Sequence, residues 1–151
     1  MLKFCSLYSG STGNSLYVQS DCSKILIDAG ESAKKIENAL SSISVNISDL
    51  DGILVTHEHS DHVKSLGTIS KKYNIPVFAN NETWDAMPKQ KDKIEEKNQK
   101  HFNVSEKFNI GDLEILPFSI PHDAANPCGF NIFNNSSKLS IATDLGHMTK
   151  D

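Results

Sequence analysis

Apolar residues recur along this chain with two periods, and the alternation between them divides it into short strands and helices. Residues 2–8 and 14–20 read as strands, and the turn-rich stretch Ser9-Gly10-Ser11-Thr12-Gly13-Asn14 between them predicts a hairpin. Lys24 to Asp28 predicts a third short strand that ends in Asp28-Ala29-Gly30. Over residues 31–42, Ala33, Ile36, Leu40 and Ile43 fall three or four positions apart and make the single apolar stripe of an amphipathic helix. The run Gly52-Ile53-Leu54-Val55-Thr56 predicts a buried strand. Residues 63–72 predict a helix with Val63, Leu66 and Ile69 on one face, and Pro76-Val77-Phe78 a short strand. Residues 81–98 are polar and helical in part, with an interruption at Pro88. Strands are expected at 101–104, 112–118, 129–134 and 138–143, with a turn at Asn134-Asn135-Ser136-Ser137.

This order of elements is that of an α/β protein whose sheets are covered by helices on their outer faces. A length of 151 residues fits one domain, residues 1–151, and no internal repeat, linker or low-complexity segment divides it.

Composition narrows the partners. Hydrophobic residues make up 38% and charged residues 23%, as expected for a soluble globular protein. A formal net charge of −4 gives no basic footprint for non-specific duplex binding. Two bound divalent cations would bring that sum to about zero. Cys5, Cys22 and Cys128 are scattered and odd in number, so reduced thiols in a cytoplasmic protein are expected. Neither a signal-peptide core nor an apolar run of membrane-spanning length is present in this sequence. The Ser/Gly stretch at 9–14 lacks the Lys and following helix of a phosphate-binding loop. Lys89, Lys91, Lys93, Lys97 and Lys100, interleaved with Asp92, Glu95 and Glu96, read as a solvated face, with a phosphate-steering patch as the alternative.

The densest chemistry follows the strand at 52–56. His57-Glu58-His59-Ser60-Asp61-His62 packs three imidazoles and a carboxylate into six positions. A pattern H-x-H-x-D-H arises by chance in roughly one chain in ten thousand of this size. Neutral imidazole offers a lone pair to a metal near pH 7, and Asp adds a hard oxygen and a negative charge. His122, just after strand 112–118, and Asp144, at the end of strand 138–143, complete a candidate ligand set. All three groups sit at strand ends, where a sheet converges them on one rim. His57, His59 and His122 suit one cation, Asp61 and His62 a second, and Asp144 a bridging position. With N and O donors only, zinc, manganese and iron all fit. Two such ions polarise a substrate oxygen and supply hydroxide near neutral pH.

These residues resemble the metallo-β-lactamase-fold hydrolases. H-x-H-x-D-H at 57–62, the lone His122 and the late Asp144 match the motifs of that family, and Asp28 matches its early Asp, which braces the ligand loop. The segments Ser6 to Asn14, Thr56 to His62, Pro121 to Ala124, Pro127 and Gly129-Phe130 are similar to signatures of the WalJ/YycJ-type subgroup. The resemblance spans essentially the whole chain. It implies an αββα sandwich with the site at one sheet rim, of which this chain is the N-terminal part. It also implies two-metal hydrolysis of phosphodiesters, with DNA as substrate and partner. Three positions depart from the pattern. Ser65 stands where the family usually has Gly, and Gly67 follows two residues later. Asn126 stands where the subgroup often has an acidic residue. Only seven residues follow Asp144, whereas the family supplies a further His ligand and a second αβ half beyond that point; His147 does not match that ligand. A chain lacking that half is expected to self-associate and to turn over little.

Two other activities share these residues: hydrolysis of a small ester, thioester or lactam, and a metal-bearing regulatory or interaction domain without turnover. The first uses the same ions on another electrophile.

Overall fold

A computed structural model describes residues 1–121, 123–142 and 145–150, the last of these as backbone. The first sheet contains β1 (Lys3–Tyr8), β2 (Ser15–Gln19), β3 (Lys24–Ile27), β4 (Gly52–Leu54), β5 (Val77–Ala79) and β6 (Gln99–His101), hydrogen-bonded in that order. β1 to β3 are antiparallel, and β3 to β6 are parallel. The parallel strands are connected through α1 (Ala33–Ser42), then α2 (Ser60–Val63) and α3 (Leu66–Tyr73), then α4 (Asn81–Ala86) and α5 (Pro88–Lys93). The second sheet is an antiparallel meander of β7 (Phe108–Ile110), β8 (Leu113–Ser119), β9 (Cys128–Asn134), β10 (Ser137–Ala142) and β11 (Leu145–Lys150).

Alternation along the central strands creates two cores. On β3, Ile25 and Ile27 face the second sheet, while Leu26 faces the helices. On β4 the same division puts Leu54 between the sheets and Ile53 under the helices. Ile36, Leu40, Leu66, Ile69 and Trp84 cover the helical side, and Phe130, Ile115, Ile132 and Leu139 fill the space between the sheets. Full burial of each such side chain contributes about 1.5–3 kcal/mol. The layers are therefore helices, sheet, sheet. Among the described residues no helix covers the outer face of the second sheet.

Several boundaries differ from those the sequence pattern predicts. Ser32 caps α1 by accepting from Lys35 N–H, and the stripe ends a turn earlier than expected, because Ile43 is the C-cap and 38% exposed. The helix expected at 63–72 is two pieces, α2 and α3, with a break at Lys64-Ser65. Pro88 opens α5 at its first turn, where a missing N–H costs nothing, so the polar stretch holds two helices on either side of Met87. The strand expected at 101–104 lies earlier, at 99–101. β7 and β11 were not anticipated by the pattern. β7 is only Phe108-Asn109-Ile110, and β11 lacks an alternating apolar run; both are specified by pairing with β8 and β10.

Candidate metal centre

Two neighbouring parallel strands end at the site. Their C-terminal ends form the rim at which ligands bind in sheets of this kind. Asp28 follows β3 directly, and Thr56 and His57 follow β4 by two and three residues. Asp28 N–H donates to Leu54 O (2.8 Å), which locks the two strand ends together. Asp28 takes a left-handed conformation (φ 64°), a region in which Asp is one of the few tolerated residues.

That conformation turns the Asp28 carboxylate into a buried hub. Oδ1 accepts from Thr56 N–H (2.8 Å). Oδ2 accepts from the Thr56 hydroxyl (2.7 Å) and lies 2.7 Å from His62 Nδ1. The Thr56 hydroxyl has donated its proton to Asp28, so its oxygen accepts from His57 Nδ1–H at 2.9 Å. One carboxylate thus sets the tautomer of two imidazoles, directly for His62 and through Thr56 for His57. In each ring the lone pair is left on Nε2. His57, His62, Thr56 and Asp28 are all at most 3% exposed, so solvent does not compete for these bonds.

The rings converge. The centroids of His57 and His62 are 4.0 Å apart, and those of His57 and His59 4.7 Å. Asp61 Oδ2 lies 3.5 Å from His62 Nε2. His62 lies in the last turn of α2, and Ala29 N–H donates to its carbonyl (2.8 Å), so the ligand loop is tied to the residue after Asp28.

Asn14, read from the sequence only as part of a turn, completes this arrangement. Its Nδ2 donates to Asp61 Oδ2 (3.1 Å) and lies 3.2 Å from His62 Nε2, while its backbone N–H donates to Asp61 O (2.8 Å). The hairpin itself is as the sequence predicts, with Tyr8 paired to Ser15. Gly30 permits this contact: a Cβ there would lie 1.7 Å from Asp61 O and 2.7 Å from Asn14 N.

Ala125, Asn126 and Cys128 are fastened to the same rim. Glu58, between the two histidines of the motif, accepts from Ala125 N–H at 3.0 Å and 3.4 Å through its two oxygens. Cys128 N–H donates to Thr56 O (3.0 Å), and Asn80 Nδ2 to Asn126 O (2.9 Å). Asn126 Nδ2 donates to Glu82 Oε1 (3.1 Å), a partner that an acidic residue at 126 would repel. Ser65 has φ −111°, open to any residue, so glycine is not required there. Its N–H and hydroxyl both donate to Ala29 O.

His122 and Asp144 lie outside the described residues. Among the described residues no three His, Cys, Asp or Glu side chains form a metal-binding group by themselves. The donors that are described nonetheless suit a borderline divalent cation: imidazoles with Nδ1 engaged, next to a carboxylate. Cys128 lies beneath the rim, its Sγ 3.7 Å from Thr56 O. Burial, and after it the Asp28 charge, push its thiol up to about 12, so it stays protonated and is no thiolate donor at neutral pH.

Residues 8–147 match the family model of the metallo-beta-lactamase superfamily. The chain is 45% identical over 148 residues to a Bacillus anthracis protein named exodeoxyribonuclease YycJ, covering 98% of this chain and 56% of that protein. It is 37% identical over 149 residues to exodeoxyribonuclease WalJ of Streptococcus pneumoniae serotype 2, covering 97% and 55%. Among solved structures, the MIM-2 metallo-β-lactamase is similar with a TM-score of 0.72 at 16% identity, covering 87% of this chain and 54% of that one. The class B3 di-zinc metallo-β-lactamase LRA-12, from an Alaskan soil metagenome, gives 0.69 at 14% identity, covering 91% and 56%. These structural likenesses concern the fold alone. The chain spans about half the length of the curated relatives it matches. No helix among the described residues is long and apolar enough to cross a membrane.

Proposed function

The chain belongs to the metallo-β-lactamase superfamily, and on that premise we propose that it carries the ligand-bearing part of a metal-dependent hydrolase that cleaves phosphodiester bonds in DNA. In this reading His57, His59 and His122 would hold one divalent cation, Asp61 and His62 would hold a second, and Asp144 would be a ligand shared by the two. Zinc is the first choice, with manganese and iron as alternatives. Such ions supply Lewis acidity and acidify water near neutral pH.

The residues of the chain do the positioning. Asp28 holds the His62 proton on Nδ1, and through Thr56 it holds the His57 proton on Nδ1. Both rings then carry the lone pair on Nε2, that of His62 beside the Asp61 carboxylate. Asn14 steadies the Asp61 carboxylate. Glu58 ties Ala125, three residues after His122 in sequence, to the ligand loop. The observation that carries the metal reading is the single Asp28 carboxylate shared by two imidazole arms. The substrate class is supported by the names of the Bacillus anthracis and Streptococcus pneumoniae relatives.

The test is a comparison of electrophiles. The full-length protein that carries this chain, purified and metal-loaded, is assayed on a labelled single-stranded oligodeoxynucleotide, a thioester and a chromogenic lactam. Release of nucleotides with no thioester or lactam turnover is the expected result. Turnover of the lactam or thioester alone would contradict the proposal.

A further inference from the structure

Beside the His57–His62 loop the surface dips into a cleft of about 320 Å³. The cleft begins at Glu58 and Ser60 of the loop and runs to the segment where α4 passes into α5. Its floor is apolar: Val63 and Met87, each 4% exposed, with Pro88 beside them. Its rim carries Lys64 and Lys89, both exposed. Neither lysine has an ion-pair partner among the described residues. Glu58, the carboxylate in the lining, already accepts two contacts from Ala125 N–H.

A second cleft, about 480 Å³, lies along α3 and is lined by Gly67, Thr68, Lys71, Lys72 and Lys93. Gln90 joins the two clefts: its Oε1 accepts from Gly67 N–H (2.8 Å) and its Nε2 donates to Lys64 O (3.4 Å). A Cβ on Gly67 would lie 2.6 Å from Lys93 Cβ and 3.0 Å from Gln90 Oε1. Glycine therefore lets α5 lie close against α3, which brings Lys93 to the same cleft as Lys71. Lys72 is engaged by Glu37 at 3.9 Å, whereas Lys71 and Lys93 have no such partner among the described residues. Asp85 and Asp92 belong to the same helices but line neither cleft.

We propose that these two clefts form a track for the single-stranded DNA leaving the metal centre. The inference rests on the phosphodiesterase reading of that centre. The near cleft receives the unstacked base beside the scissile phosphate on the Val63-Met87-Pro88 floor, and Lys64 and Lys89 pair with the flanking phosphates. Lys71 and Lys93 take the phosphates that follow. Charge complementarity selects the occupant, because lysines on the rims face a polyanion although the chain as a whole carries a net charge of −4. The apolar floor selects a single strand, because a base stacked in a duplex does not present its face to a side wall.

The experiment measures fluorescence anisotropy of a labelled oligothymidylate on the metal-loaded chain as a function of salt. With the full-length protein that carries this chain it also measures KM for that oligonucleotide and for bis(p-nitrophenyl) phosphate. The variants are Lys64→Glu/Lys89→Glu and Lys71→Glu/Lys93→Glu, each checked by thermal melting. In the first pair the oligonucleotide Kd is expected to rise at least ~10-fold, and its KM to rise by a similar factor relative to that of the small diester. The logarithmic salt slope should become shallower by about 1.4, since each of the two lost phosphate contacts on a single strand contributes about 0.7. The second pair should weaken a long oligonucleotide and leave a dinucleotide unaffected. Unchanged Kd and salt slope in folded variants would overturn the track. So would polyglutamate competing as well as DNA. If the parent hydrolyses neither diester, the functional reading fails, while the anisotropy arm still decides whether the track binds DNA.

Discussion

Asp28 Oδ2 lies 2.7 Å from His62 Nδ1, a contact that spans 34 positions of sequence and joins the end of β3 to the end of the ligand loop. The same oxygen accepts from the Thr56 hydroxyl, which in turn accepts from His57. A buried acidic residue outside the candidate ligand set thereby controls how two candidate ligands present their lone pairs.

Replacing Asp28 with Ala should lower metal affinity about 10–100-fold, the usual cost of losing a carboxylate that orients a ligating imidazole. It also leaves Thr56 N–H and His62 N–H buried without an acceptor, so stability should fall by at least about 2 kcal/mol. Competition against a chelating dye and a denaturant melt measure the two effects. Parent-like affinity in the folded variant would show that the carboxylate does not orient the ligands.

Gly30→Ala should be among the most disruptive single methyl additions in the chain. The added carbon would meet the Asp61 carbonyl at 1.7 Å, and both partners are backbone held by hydrogen bonds. We expect a loss of about 3 kcal/mol or more, at the upper end for overpacking. Gly10→Ala is the comparison: its Cβ would meet nothing within 4 Å, although its φ of 143° carries a conformational cost of its own. A Gly30→Ala melt within a degree or two of the parent would refute the close-packing argument.

Cys128 should resist thiol reagents in the native protein at pH 8, while Cys22, which is exposed, reacts. The cause is burial first and the nearby Asp28 charge second, which together push the thiol from 9.0 up to about 12. The sign of the linkage follows. Between pH 9 and 12 the unfolded thiol has lost its proton and the folded one keeps it, so stability falls as pH rises through that window. A thiol count in native and denatured protein, with melts of parent and Cys128→Ala from pH 8 to 10.5, tests this. The parent should lose stability more steeply.

The His cluster was legible because a metal site concentrates rare residues within six positions. The layered α/β arrangement was legible because the parallel strands are nearly continuous apolar runs and α1 has a clear stripe. Asn14, Thr56 and Glu58 as positioning residues were not, because their roles depend on partners 28 to 67 positions away. Gly30 gave no signal either: the constraint is a neighbouring backbone, not a turn. The Ser65 departure proves harmless because α3 begins there in ordinary backbone geometry. β7 and β11 were missed for a different reason. Their three and six residues carry little pattern, and the neighbouring strands define them.

Hydrolysis should decline as pH falls below roughly 6. Protons then compete with metal for imidazoles whose reference pKa is about 6.5, and metal affinity falls with them. A pH profile at fixed, buffered free metal should show an acidic limb that moves to lower pH as free metal is raised. A limb that does not move with metal concentration would assign the pH dependence to another group.

The most direct test of the account is phosphodiester turnover measured through metal removal and return. The full-length protein that carries this chain is stripped with chelator, dialysed and supplied with zinc or manganese in steps, and cleavage of the labelled single strand is followed with metal content. The account predicts that turnover disappears with the metal and returns with it in the parent. In Asp61→Ala it should fail to return even though the fold is retained. Turnover at the parent rate in excess chelator, or an Asp61→Ala protein with full metal content and full activity, would contradict it.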